Sequence, residues 1–390
     1  MKIYSKLGTA VFGVGMLLLS SCNDFLDREP LDKITPEIYF ANEADLAAYS
    51  LGCYGFPTND PTKFSIGVIA NDNGTDNQAA SEGSTGTWVP GEKRVAAKDG
   101  AWNFDGIRKC NYFFNRVLPK YEAGTINGSV ENIRHYIGEM YFIRAYNYFN
   151  KLAALGDFPI ITEVLPDDHG TLIANSLRRP RHEVARFILK DLDKAIEMMG
   201  EDSPNGKNRL TRKAGLLFKS RVALFEGTWL KYHNGTDRVP GGPGWPGATM
   251  DYNKDFSIDM DAEIKFFLNE AKEAAARVAD AVRLTESTDM VNPEKGDPYN
   301  WNPYYAMSCP ADMDQIHEVL FWRAYDVSLG VGHSAGIYLV RAGGNMGYTR
   351  GMVDAFLMQD GLPIYVSKDY QGDVSLNKFK KGRDRRLQLF

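Results

Sequence analysis

Two segments without helical periodicity combine flat aromatic rings with amide and carboxylate groups. The first reads Asn71-Asp-Asn-Gly-Thr-Asp-Asn-Gln and is followed by Trp88, and the second reads Asp297-Pro-Tyr-Asn-Trp-Asn-Pro-Tyr-Tyr. A sugar exposes C–H faces that pack on rings, and it carries hydroxyl groups that need a few placed polar partners. Both segments could therefore bind carbohydrate, and their candidate ligand-binding residues are Asp72, Asp76, Trp88, Tyr299, Trp301 and Tyr304.

Each segment also admits a structural interpretation. Trp301 and Tyr304 could fill space beneath a long loop, because aromatic residues dominate buried area as well as binding surfaces. Asp72 and Asp76 could shape a turn, because Asp and Asn form hydrogen bonds with nearby backbone. The sequence leaves both interpretations open.

A third motif, Gly332-His-Ser-Ala-Gly336, matches the G-x-S-x-G turn that carries the nucleophile of α/β-hydrolases. In such an enzyme Ser334 would need a general base downstream. All six histidines precede it: His135, His169, His182, His233, His317 and His333. We therefore predict no catalytic residue and keep a Ser334 esterase only as a competing hypothesis.

The sequence predicts no cofactor and no metal site, and it leaves open whether the acidic loops bind calcium outside an EF-hand. It contains no Walker loop, no HExxH and no dinucleotide fingerprint, and the spacing of Asn71–Asn77 does not fit an EF-hand loop. Cys53, Cys110 and Cys309 are widely separated and form no CxxC pair, which argues against a zinc cage. We expect these three to be buried small hydrophobic residues with at most one disulfide.

The N-terminus has the pattern of a secretory signal peptide, predicted over residues 1–21. Lys2 and Lys6 precede an apolar stretch from Leu7 to Leu19, which is shorter than the about 20 residues of a membrane-spanning helix. Leu19-Ser-Ser-Cys22 resembles the bacterial lipobox, in which Cys22 would be acylated and become the first mature residue. The alternative is an ordinary cleaved signal with an unrelated cysteine near its end.

Composition excludes several other classes of protein. The chain is 44% hydrophobic and 24% charged, which is typical of a globular protein. Its 390 residues are too many for one small core. The formal net charge of −5 gives no basic footprint for a nucleic-acid backbone. We predict no nucleic-acid partner.

Apolar residues at three- and four-residue spacing predict a mainly α fold. The predicted helices cover residues 36–55, 102–118, 130–155, 181–199, 211–233 and 262–282. Small residues such as Ala145, Ala195 and Ala223 would let helices approach closely in tetratricopeptide-like pairs. We expect few and short strands, one of them over Glu318–Tyr325, and a solvated helix face formed by Lys190, Asp191, Asp193, Lys194 and Glu197.

This pattern divides the mature chain, residues 22–390, into two kinds of region. A helical scaffold is predicted over about 36–56 and 101–284, and loop-rich binding regions over 57–100 and 285–390. Long segments without periodicity inside a compact protein are usually functional or disordered. The two aromatic and polar segments both fall in the loop-rich regions.

Six motifs in order resemble the SusD/RagB lipoproteins. They are Cys22-Asn-Asp-Phe-Leu-Asp, Gly138-Glu-Met-Tyr-Phe-Ile-Arg-Ala-Tyr-Asn-Tyr-Phe with Leu155-Gly-Asp-Phe-Pro-Ile, Lys190-Asp-Leu-Asp-Lys-Ala-Ile, Arg209-Leu-Thr-Arg-Lys-Ala-Gly, Asp360-Gly-Leu-Pro-Ile and Gly382-Arg-Asp-Arg-Arg-Leu. The resemblance covers nearly the whole chain. Members of that family usually continue well beyond the last motif, so the family's C-terminal section is expected to be missing from these residues.

The resemblance implies tetratricopeptide-like helix pairs with an irregular, loop-rich ligand site. It implies a protein that is lipid-anchored on the outer face of a Gram-negative outer membrane. Such proteins capture oligosaccharide and pass it to a SusC-like TonB-dependent barrel transporter, and they are not enzymes. Capture of peptide, as in RagB-type relatives, is the alternative.

Overall fold

A computed structural model describes residues 39–57, 67–80, 90–91, 102–286, 292, 295–336 and 346–389. The α-helices in these ranges are α1 (Glu43–Gly52), α2 (Asp105–Glu122), α3 (Val130–Leu155), α4 (His169–Asn175), α5 (Arg181–Met198), α6 (Arg212–His233), α7 (Met260–Ala279), α8 (Pro303–Ala306), α9 (Arg350–Asp354) and α10 (Leu376–Lys380). Short 3-10 helices cover Gly67–Asp72, Gly206–Asn208, Pro246–Thr249, Asp251–Asn253, Pro298–Asn300, Val327–Leu329 and Arg385–Leu389. The mainly α prediction is confirmed.

The described strands form one antiparallel pair, β1 (Gln78–Ala80) and β2 (Met346–Tyr348). Gln78 lies opposite Tyr348 and Ala80 opposite Met346. Residues 268 positions apart in the chain are therefore adjacent, and Gln78 Nε2 lies 2.9 Å from Met346 Sδ. The pair joins the first loop-rich region to the last.

The long helices form a consecutively packed scaffold. α2 packs on α3, α3 on α5, α5 on α6, and α6 on α7, while α1 packs on α3. Local sequence sets the ends of these helices: Ser129 caps α3 by accepting from the Asn132 N–H, and Gly156 ends it with a φ of +73° that favours glycine. Every helix predicted from periodicity overlaps an observed one, and α3 begins and ends at the predicted residues.

Small residues allow the scaffold helices to approach one another closely. Ala145, Ala195 and Ala223 are fully buried in the core. A Cβ atom at Gly138 would lie 2.8 Å from Met199 Cγ, so α3 can contact the end of α5 only with glycine at this position. Around these contacts the core is filled by large apolar side chains, among them Phe113, Ile137, Leu152, Ile188 and Phe267.

Buried ion pairs connect the same helices. Arg209 Nη2 lies 2.5 Å from Glu139 Oε2, and the Glu139 carboxylate also accepts from the hydroxyls of Ser50 and Tyr54. Burial acts to raise the pKa of Glu139, but the interactions with His135 and Arg209 outweigh it and lower the pKa below its usual value. Glu139 is therefore a buried, ionised and fully partnered carboxylate.

A second and a third pair lie further along the scaffold. Arg144 donates two hydrogen bonds to the Asp191 carboxylate, at 2.7 and 2.8 Å, and a third to Asn111 Oδ1. Arg181 binds Glu226 in the same manner, with Nη2 2.8 Å from Oε2. Removing one partner of such a buried pair would leave an uncompensated charge in the core.

The structure corrects three sequence-based expectations. Asp191 is buried against Arg144, so the predicted solvated face of α5 is wrong at this residue, although Lys194 and Glu197 do form an exposed pair. The predicted strand over Glu318–Tyr325 is not a strand. Its backbone instead bonds to a loop of the scaffold, with Trp322 N–H donating to the Lys207 carbonyl at 3.0 Å.

The third correction concerns the cysteines. Cys110 is buried as expected, but Cys53 is only half-buried and Cys309 is exposed, and all three are free thiols. Cys309 lies in a loop-rich region, outside the hydrophobic core of the helices.

Among the residues that the structure describes, no helix is both long enough and apolar enough to cross a membrane.

Candidate ligand-binding site

The aromatic segment, residues 295–309, is held by its own hydrogen bonds. Asp297 Oδ1 accepts from the Tyr299 N–H at 3.0 Å, and the Trp301 indole N–H donates to the Gly296 carbonyl at 3.1 Å. Asn302 caps the short helix α8 by accepting from the Tyr305 N–H. Asx turns and a helix cap thus fix the backbone that carries the rings.

The rings of this segment face outward. Tyr299 is 49% exposed and Tyr304 56% exposed, so neither fills space beneath the loop. Tyr305 is also exposed, and Trp301 is partly exposed with its indole N–H already bonded. The segment therefore exposes aromatic surface to solvent, as packing against a sugar requires.

The acidic segment around β1 forms a compact turn. The carbonyl of Asp72 accepts from both the N–H and the hydroxyl of Thr75, and the carbonyl of Asp76 accepts from the Thr349 hydroxyl. Asp72 and Asp76 are exposed. Their backbone shapes the turn while the side chains lie at the surface, so the structural and the binding interpretations are compatible.

The predicted site residues fall into separate groups. Tyr299, Trp301 and Tyr304 lie together in the aromatic segment, whereas the hydrogen bonds of the Asp72–Gln78 turn lead to Met346 and Thr349 next to β2. Trp88 lies outside the described residues. Another exposed ring, Tyr348 on β2, stands opposite Gln78 and was missed because no local pattern marks that short strand.

Sequence reasoning also missed an open cleft of about 550 Å³, which we call the α6–α7 cleft. Its walls come from three separated stretches: residues 201–213 at the start of α6, residues 281–283 after α7, and residues 314–320. Only the fold brings these stretches together. The aromatic segment is bonded to the same wall, because Thr285 donates its N–H to Glu318 at 2.8 Å and its hydroxyl to Met307 Sδ at 3.2 Å.

The structure around Ser334 does not match a nucleophile elbow. That motif requires a strand leading into the serine and a helix leading away. Residues 321–325 form no strand, and the neighbouring His333 packs its ring on Tyr325 with centroids 4.6 Å apart. Ala335 and Gly336 are helical, as the motif requires after the serine, and residues 337–345 lie outside the described part of the chain.

Within the described residues, no group of three or more His, Cys, Asp or Glu side chains is placed to hold a metal ion.

With this geometry in place, comparison with known proteins identifies the family. Residues 24–224, more than half of the chain, match the SusD-like family described as "Starch-binding associating with outer membrane". The chain belongs to the SusD-like family. The family's association with the outer membrane agrees with the N-terminal pattern, and its fold agrees with the helical scaffold.

Individual relatives support the same conclusion. A SusD-like protein of Bacteroides ovatus is 29% identical over 250 residues, which cover 62% of this chain and 43% of the relative. A SusD-like protein of Bacteroides fragilis has a solved structure that superposes with a TM-score of 0.56 at 21% identity, covering 92% of this chain and 62% of the other. A second structure from that organism, named a SusD-like carbohydrate binding protein, gives 0.54 at 13% identity, covering 90% and 60%.

These structures establish the shared fold. The SusD-like chain described here spans between two fifths and two thirds of the length of these relatives.

Proposed function

We propose that this protein binds an oligosaccharide through the exposed rings of Tyr299, Trp301 and Tyr304. The observation that carries the proposal is the aromatic segment itself, in which local hydrogen bonds fix the backbone and the tyrosine rings are exposed to solvent. The acidic turn with Asp72 and Asp76, together with Trp88, would supply further contacts to hydroxyl groups and rings.

Two findings support this proposal. The family is described as starch-binding, and one structural relative is named a carbohydrate binding protein. A ligand that packs on the exposed rings would remove apolar area from water, which gains roughly 25 cal/mol per Å². A sugar face would cover that area while its hydroxyls stay hydrated.

Calorimetric titration with a panel of oligosaccharides tests the proposal. We expect Trp301→Ala and Tyr304→Ala each to weaken binding about 5- to 150-fold, because stacking on one ring contributes about 1–3 kcal/mol by analogy with base–aromatic stacking. Tyr232→Ala is the matched control, since Tyr232 is a 74% exposed ring on α6, outside the aromatic segment. Binding of peptides alone would overturn the carbohydrate proposal and favour RagB-type capture.

We also propose that a lipid on Cys22 anchors the protein at the cell surface. Two or three acyl chains on one residue exceed the single chain that gives only marginal membrane binding. Cys22→Ala is expected to move the protein from the membrane fraction to the soluble fraction. Unchanged partition into the detergent phase would contradict the anchor.

Delivery to a SusC-like TonB-dependent transporter completes the proposal. A surface-anchored binding protein must release its ligand to a transporter for the cell to use it. Affinity purification of the tagged full chain from its native membrane should recover a barrel transporter, and recovery should persist in Trp301→Ala. Purification of the protein without any transporter would argue against this partnership.

A further inference from the structure

The α6–α7 cleft has an apolar floor and a polar rim. Val282, Val319 and Leu320 line it, and Val282 and Leu320 also pack against a small buried cluster formed by Ile196, Leu216, Ala274 and Val278. Its volume of about 550 Å³ falls within the about 300–1,000 Å³ of small-molecule sites. Val282 and Leu320 of the cleft therefore pack directly against helices α5, α6 and α7.

Hydrogen bonds centred on Asp314 fix the opposite wall. Asp314 Oδ1 accepts from the Lys207 N–H at 3.0 Å and from the Trp322 indole N–H at 2.8 Å. Lys207 Nζ donates to the Ile316 carbonyl at 2.5 Å. Gly206, with a φ of +65°, lies so close that a Cβ atom there would be 2.7 Å from Asp314 Oδ2. The shape of the cleft is thus set before any ligand enters.

Three side chains of the rim have unused hydrogen-bonding capacity. Within the described residues, Asp202, Gln315 and His317 line the cleft and form no side-chain hydrogen bond or ion pair. A carboxylate, a primary amide and an imidazole together supply both donors and acceptors. Hydroxyl groups, which both donate and accept, match such a set.

Charge indicates which hydroxyl-bearing ligand suits the cleft. Its lining carries three cationic and three anionic side chains: Lys207, Lys213, Arg283, Glu201, Asp202 and Asp314. Lys213 lies 3.7 Å from Glu201, and Arg283 pairs with Glu286. The three cations and three anions of the described lining balance, so no net positive charge favours a carboxylate or sulfate group, and the unpaired Asp202 would repel one.

We infer that the α6–α7 cleft is a second carbohydrate subsite that takes one or two neutral sugar units. The inference rests on the proposed function for its ligand class, and it adds a position remote in sequence from the aromatic rings. Because Thr285 bonds both to Glu318 on the cleft wall and to Met307 of the aromatic segment, a single branched or bent glycan could occupy both places.

Histidine-selective ¹³C labelling of the full chain gives a direct test, with His317→Gln used to assign the resonance. The neutral probes are maltoheptaose, cellohexaose, laminarihexaose and mannohexaose, and the acidic probe is trigalacturonate. We expect at least one neutral probe to shift the His317 resonance, both in the wild type and in Trp301→Ala/Tyr304→Ala. Asp202→Asn/Gln315→Ala should weaken that response about tenfold, whereas Glu273→Gln, at an exposed residue of α7, should not.

The outcomes separate this inference from the proposed function. A His317 response that persists while Trp301→Ala/Tyr304→Ala binds with unchanged total affinity supports the cleft and contradicts the aromatic site. Loss of binding in the ring variant with a silent His317 in the wild type supports the aromatic site and overturns the cleft. A response to trigalacturonate alone would overturn the neutral ligand class, and no response to any probe would overturn the subsite.

Discussion

The helical scaffold and the loop-rich C-terminal region use the same side chains in opposite ways. In the scaffold, the charged pairs Glu139–Arg209 and Arg144–Asp191 are buried, and the rings pack on one another inside the core. In residues 295–389, the pairs Arg350–Asp373 and Arg386–Asp384 lie at the surface, and rings such as Tyr304 face solvent.

The two regions also use their carboxylates differently. Asp326, Asp360 and Asp384 each accept from an N–H two residues ahead, as Asp297 does, so the loop backbone is shaped locally. In the scaffold, Arg209 bonds to Glu139 seventy residues away. The helices therefore supply most of the buried contacts, and the loops supply the side chains that are accessible to a ligand. Substitutions at the proposed ligand contacts should consequently cost little stability.

An exception in the loop region sharpens the comparison. Arg383 is buried and donates to the carbonyls of Val353 and Phe356 at 2.6 and 2.7 Å, while burial lowers the pKa of its guanidinium. Its backbone pairs with that of the buried Met358, and its guanidinium lies over the Phe379 ring, 4.8 Å from the centroid. A buried cation thus holds these parts of the loop region together.

The largest expected effect comes from opening a buried pair. Arg209→Met should lower the free energy of unfolding by about 3–5 kcal/mol, because it leaves the Glu139 carboxylate buried without its cation. Arg386→Met is the control, since its exposed pair should contribute no more than about 1 kcal/mol. Urea denaturation of both variants measures the difference, and equal losses would contradict the division between scaffold and loops.

The pH dependence of stability is expected to come partly from one scaffold histidine. Burial lowers the pKa of His182 from 6.5 to about 4, against a smaller opposing influence of Glu263 and a reinforcing one of Arg186. The folded protein keeps the imidazole neutral while the unfolded chain protonates below pH 6.5. Stability present above pH 6.5 is thus lost as the pH falls towards 4, by up to about 3 kcal/mol.

Denaturation midpoints across this pH range check that dependence. His182→Gln should flatten the curve between pH 6.5 and 4, whatever it does to the absolute stability. His169→Gln, at an exposed position of α4, should leave the slope unchanged. If stability still falls between pH 6.5 and 4 in His182→Gln, other titrating groups cause the pH dependence.

A smaller effect is expected where the scaffold meets the loops. Gly206→Ala and Gly124→Ala both place alanine at a φ of +65°, but only at residue 206 would the new Cβ meet the Asp314 carboxylate. We expect about 1 kcal/mol from the backbone at residue 124 and roughly 2–3 kcal/mol at residue 206. Thermal unfolding of the two variants measures the free-energy cost of the contact with Asp314. Equal losses of stability would show that Asp314 moves to accommodate the new Cβ atom.

The smallest effect on stability should come from the proposed ligand contacts. Tyr304→Ala is expected to change the free energy of unfolding by less than about 0.5 kcal/mol, because the ring is largely exposed. Tyr148→Ala, at a fully buried ring of α3, should cost about 3–5 kcal/mol. A large loss in Tyr304→Ala would mean that the aromatic segment is part of the core.

The sequence by itself located the six helices predicted from periodicity, and it placed both ends of α3. Periodicity and caps act within a few residues, so α3 could be placed from Ser129 to Gly156 without knowledge of its neighbours. The aromatic segment could also be located, because its rings, amides and carboxylates stand together in a stretch without helical periodicity. The role of its rings as ligand contacts remains a prediction.

Only the tertiary structure decided which polar groups are buried and where the cleft lies. Asp191 has the sequence context of a surface residue, and it is buried because Arg144 of another helix lies beside it. The residues near Trp322 have a strand-like composition, but their backbone bonds to the segment around Lys207 and not to a partner strand. A strand is stable only when neighbouring strands or helices pack against it. Pairings across tens or hundreds of residues depend on the packing of whole helices, which no local pattern records.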